Sequence, residues 1–238
     1  PQYPDQNGRW LWGINFACKT SVIYCPGNLS CFWELGGLSG TGIPGLGKSA
    51  TAAQGEIDTC RALGVNVLAY ATNKNLKPKD AIATDTLDRK RDDTQQRGHF
   101  AVAKLQHAGG CDVAPRAVTN LMEAINYSLG MQTSNETPLI SLNNAALFDY
   151  QFVTMHGRHD FRFSAKEKRQ LRLFVQRGGT ILADAICGSP RFTQAFRREI
   201  RATFNQPLKK IPPDDPLFSV AYGGSDLKLV DRREASPN

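Results

Sequence analysis

FVTMHGRHDFRFSAKEKRQLRLFVQRGGTILADAICGSPRFTQAFRREIRATF, residues 152–204, decides the fold class. FVTM is an apolar run of strand length, and Ser164 followed by Glu167 is a capping box that opens a helix. Leu171, Phe174 and Val175 recur at helical spacing, and Gly178 with Gly179 supplies the left-handed residue that stops it. TILADA then reads as a strand buried on both faces, as in a parallel sheet, with Asp184 near its carboxyl end. Cys187 and Gly188 make a turn. Ser189 is placed to cap the next helix, Pro190 fits its first position, and Phe192, Phe196, Ile200 and Phe204 form its buried stripe. Strand, helix and strand in that order predict a right-handed crossover, with functional groups where strands end and helices begin.

Working outward, 238 residues with 41% hydrophobic content suffice for one large or two small domains. No stretch is apolar enough to span a bilayer, and the amino terminus carries no charged-then-apolar signal. The six cysteines, Cys18, Cys25, Cys31, Cys60, Cys111 and Cys187, lie in no CxxC spacing, which excludes a zinc ribbon and a thioredoxin motif. They read as separate buried thiols, with one disulfide among Cys18, Cys25 and Cys31 as the alternative in an oxidising compartment. Formal charge is +7, and residues 165–201 hold nine Lys and Arg against Glu167, Asp184 and Glu199. That basic surface suits a solvated face or an acidic partner; no nucleic-acid reading motif accompanies it.

In the leading part SVIYC reads as a strand, and LSCFWELGG and the glycine-rich run after it as loop. That run holds a formal match to a phosphate-cradling loop, Gly42, Gly47, Lys48 and Ser49, without the buried strand such a loop follows. Ile57, Cys60, Gly64, Val67, Leu68 and Ala71 then predict a helix that frays near Asn73. Residues 73–98 are charged and nearly free of large apolar side chains, a linker or disordered loop. HFAVAKLQH reads as a strand, and Pro115 opens a helix with a stripe of Val118, Leu121, Met122, Ile125 and Leu129. PLIS supplies another short strand, and beyond Phe204 the chain is irregular. The chain thus divides into a leading strand and helix (1–72), the linker (73–98), a core α/β domain (99–230) and a polar tail (231–238).

The trailing part resembles a bacterial family, the domain of unknown function numbered 4159, at VAKLQHAGGCDVAPRAVTNLMEAIN, FDYQFVTMHGRHDFRFS, LRLFVQRGGTILADAICGSPRFTQAFRREI and IPPDDPLFSVAYGG. NGRWLWGINF, VIYCPGNLSCFWEL and IDTCRALGVNVLAYA resemble the same family's carboxyl-terminal end, so its parts stand here in inverted order. Either the chain is a circular permutant or it straddles two tandem copies. The resemblance implies a flavodoxin-like three-layer sandwich with a mainly parallel sheet, related to class I glutamine amidotransferases and trehalose-utilisation-type proteins. It implies no established reaction. Relatives that are secreted or membrane-tethered, encoded near chaperone-like ATPases and adhesion domains, imply envelope assembly rather than metabolism and a place in the cell envelope or periplasm, with the cytoplasm as the alternative.

Cys187 stands where a nucleophile would, between strand and helix, where a helix amino terminus lowers a thiol pKa. The amidotransferase resemblance would put its His and Glu partners later in the chain, yet no histidine follows His159. Only His156 and His159, with Asp184, remain to serve a hydrolase or metal-dependent enzyme. In the HGRHD loop, His156 and His159 with Cys187 are the candidate ligands of a divalent metal. Arg158, Asp160, Gly188 and Ser189 are the candidates for a polar ligand. Asp149, Asp214 and Asp215 read as turn initiators. The expectation is a non-catalytic binding or assembly module whose partner is a protein or a tandem copy of the same domain. The alternatives are the Cys187 enzyme and a phosphate or nucleotide site at Gly42–Ser49, with Asp184 as its magnesium-binding acid.

Overall fold

A computed structural model describes residues 11–17, 19–36, 50–72, 100–134 and 136–227. Cys18, the Gly42–Ser49 loop with Lys48, the 73–98 linker and the 231–238 tail lie outside them. TILADA forms β6 (Thr180–Ala185), and FVTM extends by two residues into β5 (Phe152–Gly157). They pair in parallel over their whole length, Phe152 opposite Thr180 through Gly157 opposite Ala185. α4 (Ala165–Gln176) crosses between them, opened by the expected Ser164–Glu167 capping box. α5 (Pro190–Phe204) follows, with the Ser189 hydroxyl accepting from Phe192 N–H.

Around this unit stand β1 (Trp12–Phe16), β2 (Lys19–Cys25), β3 (Val102–Gln106), β4 (Leu139–Ser141) and β7 (Lys209–Lys210). The seven-stranded sheet runs β4-β3-β5-β6-β2-β1-β7. Five strands, β4 to β2, are mutually parallel, and β1 is antiparallel to both β2 and β7. The leading segment thus contributes β2 directly beside β6, Cys25 opposite Asp184.

Strand alternation divides the core into two layers. Val102, Phe152, Leu182 and Ile23 pack against α1 (Leu29–Gly36), α2 (Ala50–Thr72) and α3 (Ala117–Leu129). Ala103, Val153, Ile181 and Val22 pack against α4 and α5. Gly64 is what lets α2 approach so closely, since a Cβ there would lie 2.6 Å from Leu121 and 2.8 Å from Trp33.

α1 is a correction: LSCFWELG is a helix, not loop. Leu29 and Trp33, one turn apart, are both 1% exposed, so burial rather than a cap signal forms it. β1 and β7 were likewise illegible, one lying in the least regular stretch and the other only two residues long.

Candidate functional site

On the face toward α1 and α3, the carboxyl ends of the strands turn polar. Alternation from Val102, Phe152 and Leu182 brings Lys104, Thr154, His156 and Asp184 onto that face, and all four are buried. His156 stands opposite Asp184 in the β5–β6 register. The chain enters β4 from β3 and then crosses back to β5 on the other side of β3, so the cluster lies where strand order reverses.

Ser30, in the first turn of α1, ties the cluster together. Its N–H donates to Asp184 Oδ2 at 3.1 Å, its hydroxyl contacts Asp184 Oδ1 at 2.5 Å, and the same Oγ meets His156 Nδ1 at 3.2 Å. Ser30, His156 and Asp184 are 1%, 3% and 2% exposed. Burial pushes the Asp184 carboxyl up to about 7 against the opposing hydrogen bonds from Ser30 and Leu29. Burial, reinforced by the Lys104 ammonium, pushes the His156 imidazole down to about 4, so it is neutral. His156 Nε2 is buried and, among the described residues, meets no hydrogen-bonding atom. Beneath it His107 is fully specified: Nδ1 accepts from Gly109 N–H at 3.0 Å, so Nε2 carries the proton donated to His156 O at 3.1 Å. Its burial likewise lowers its pKa to about 4. Two ion pairs, Lys104–Asp112 at 2.6 Å and Arg116–Glu34 at 2.9 Å, belong to the same end of the sheet.

One hydroxyl between a carboxyl and an imidazole can pass a proton in either direction. With Asp184 protonated, its O–H donates to Ser30 and Ser30 donates to Nδ1. With Asp184 ionised, Ser30 donates to the carboxylate and Nδ1–H donates to Ser30. This is not the order of a nucleophile triad, in which the imidazole stands between the hydroxyl and the acid.

The sequence candidates separate into two groups. His156 is not a loop residue, as expected, but the next-to-last residue of β5, and its ring turns inward to Ser30. Asp184 also turns inward, to Ser30, and the Gly42–Ser49 loop whose magnesium-binding acid it would be lies outside the described residues. Cys187 is exposed rather than buried, in the turn Ile186–Gly188 at φ +53°, a left-handed conformation unusual for a residue with a Cβ. Its Sγ lies 3.9 Å from Cys31 Sγ, and Asn28 Oδ1 accepts its N–H at 2.7 Å. His159, exposed, sits on Gly109, whose carbonyl accepts both Arg158 N–H and His159 N–H. Asp160 is held below its ordinary range chiefly by its hydrogen bond from Arg198, at 2.9 Å. Ser189 Oγ donates to Arg158 O at 2.6 Å, and Gly188 adopts φ +61° to complete the turn. Asp160, Ser189 and the Arg158 backbone thus hold the loops that carry the polar-ligand candidates.

His156, His159 and Cys187 are not gathered into a metal site: among the described residues no three His, Cys, Asp or Glu side chains converge to hold an ion. As for the alternative of a disulfide among Cys18, Cys25 and Cys31, Cys31 is a thiol that faces Cys187, and Cys18 lies outside the described residues. A separate groove of about 360 Å3, lined by Asp58, Arg61, Glu123 and Tyr127, lies toward the carboxyl half of α3 and contains none of the candidates.

Ser30, Asn28 and Cys31 went unseen in the sequence because they precede or open a helix read as loop. The available signal was Leu29 and Trp33 at helical spacing directly after a strand.

Residues 101–233 match the family model described as Domain of unknown function (DUF4159). The chain belongs to this family. No curated protein matches it. The DUF4159 match includes Lys104, His107, Asp112, His156, Asp184 and Cys187, whereas Asn28, Ser30, Cys31 and Glu34 lie before it. The site of this DUF4159 chain is thus assembled from the matched region and from the segment preceding it.

Proposed function

We propose that the chain is a non-catalytic binding or assembly module with an amidotransferase-like outline, in which the groups of a reaction centre fasten a helix instead. One observation carries this reading: Ser30, His156 and Asp184 are sealed and engaged with one another, while Cys187 faces a second thiol rather than an imidazole. A hydrolase needs a nucleophile exposed beside its base. Here the exposed thiol meets Cys31, and the buried imidazole meets Ser30.

The outer surface of α4 and α5 supports the binding half of the proposal. Lys166, Arg169, Arg191 and Arg201 are exposed there, whereas Asp184 and Glu199 are buried and Glu167 closes the capping box. The acids of that segment leave its outward charge uncompensated, which fits an acidic protein surface. The parallel strands and the strand–turn–helix at Cys187 support a flavodoxin-like class. Pairing of β2 with β6 within one chain supports a permuted order over two half-copies. A setting in the bacterial envelope belongs to the same proposal through the family's resemblance to secreted relatives.

The test uses covalent probes on the intact chain. A fluorophosphonate should leave Ser30 unmodified, and iodoacetamide should alkylate Cys187 at the same rate in the parent, His156→Gln and His159→Gln proteins. A Ser30 adduct, or a Cys187 rate that falls at least tenfold without one imidazole, would establish the enzyme alternative instead.

A further inference from the structure

We propose that Cys31 and Cys187 are a dithiol–disulfide pair that closes and opens with the surrounding thiol pool, linking α1 to the turn after β6. The inference concerns a modification site and stands whether or not the chain is catalytic. The two sulfurs are 3.9 Å apart, so bonding requires an approach of about 2 Å, within reach of side-chain rotation and a small shift of the turn. The partners come from different elements, 156 residues apart in sequence. Neither thiol wanders: Cys31 is fixed in the first turn of α1, and Cys187 is held at φ +53° with its N–H on Asn28.

Exposure gives the two thiols distinct roles. Cys187 is exposed and meets a small disulfide first; Cys31, half-buried, cannot. The Cys187 thiolate attacks one sulfur of glutathione disulfide, forming a mixed disulfide and releasing one glutathione thiolate. The Cys31 thiolate then attacks the Cys187 sulfur, closing the internal bond and releasing the second glutathione. The protein loses two protons and two electrons, and one glutathione disulfide becomes two glutathiones. Burial, with the neighbouring Cys187, pushes the Cys31 thiol up to about 11, so closure of the internal bond quickens as pH rises.

The bond would lie one residue from Ser30 and three from Asp184. Reduced, α1 is held on the rim by the Ser30 contacts; oxidised, it is also tied covalently. The linkage constrains a long loop, which raises the melting temperature.

The experiment incubates the intact chain anaerobically in buffers of graded glutathione disulfide to glutathione ratio, quenches in acid with an alkylating agent, and maps the peptides by mass. The expected product has lost two hydrogens, contains a linked Cys31–Cys187 peptide, melts at higher temperature, and returns to the dithiol in excess glutathione. In Cys31→Ala the reaction should stop at a glutathione adduct on Cys187. The proposal is overturned if the parent accumulates that adduct while Cys31 stays alkylatable, or if the linked peptide contains any other cysteine. Because the mapping is made on the parent, failure of a variant to fold does not affect the outcome.

Discussion

Ser30 has one hydroxyl proton and two neighbours that can take it. Asp184, with its pKa at about 7, decides the direction. Below that pH the chain of donors runs from Asp184 through Ser30 to Nδ1, and His156 carries its proton on Nε2; above it the chain reverses and the proton moves to Nδ1. Nitrogen-15 chemical shifts of the ring should therefore exchange their donor and acceptor signatures with a midpoint near pH 7. An asparagine at 184 presents the same donor and acceptor pair as the protonated acid, so Asp184→Asn should hold the Nε2–H form at every pH. A parent ring that keeps one tautomer from pH 5 to 9 would refute the relay. At this scale the sequence revealed half of the site. Asp184, His156 and Cys187 are visible because each ends or follows a strand with a clear apolar pattern. Ser30 is not, since its contact with Asp184 spans 154 residues and no local pattern announces it.

At the scale of elements, legibility followed length and cap chemistry. α4 and α5 were readable from Ser164, Glu167, Ser189 and Pro190, which fix helix starts locally. α1, at eight residues, is formed by tertiary contact: Trp33 Nε1 donates to Cys60 O at 2.8 Å, and Asn120 Nδ2 donates to Trp33 O at 2.8 Å. The same dependence on distant partners governs the chain after β7. Asn66 of α2, 2% exposed, donates to Leu217 O at 3.0 Å and Ser225 O at 2.8 Å, and accepts from Ser225 N–H at 2.8 Å. Two short helical turns, Pro216–Phe218 and Val220–Tyr222, are thereby fastened to α2, and Asp215 caps the first, as expected of a turn initiator. Asn66→Ala leaves those backbone groups without a partner and should cost about 1–3 kcal/mol. Hydrogen exchange should show the loss locally, with Ser225 and Leu227 amides exchanging faster while β5 and β6 amides keep their order of protection. Unchanged exchange at Ser225 would show that Asn66 does not hold this segment.

Two whole-molecule properties follow from the buried polar layer and the divided sheet. Between pH 5 and 6.5, unfolded His107 and His156 take up protons that the folded chain, with both at about 4, refuses. Each therefore lowers stability as pH falls, by less than the one-proton limit of about 1.4 kcal/mol per pH unit. Asp184 has the opposite sign, because its folded pKa lies above its unfolded one and stability is lost as pH rises from about 4 to 7. Two against one leaves a net loss on acidification, and Asp184→Asn should roughly double that slope in urea titrations; an unchanged slope would place the acid's titration elsewhere. The divided sheet makes a stronger demand. Residues 100–227 supply β3 to β7 and α3 to α5, but the layer over Val102, Phe152 and Leu182 is completed by Ile23, Leu29, Trp33, Leu63, Val67 and Leu68 from the leading segment. These six are at most 2% exposed. At about 1.5–3 kcal/mol for each buried side chain, their loss matches or exceeds the 5–15 kcal/mol that holds a typical domain folded. A fragment of residues 100–238 should accordingly bind a hydrophobic dye and melt without a cooperative transition, and separately prepared residues 1–99 should restore one when added. Cooperative unfolding of the 100–238 fragment alone, with a denaturant slope suited to its length, would show that the family-matched part is a domain in its own right and that β1, β2, α1 and α2 are additions to it.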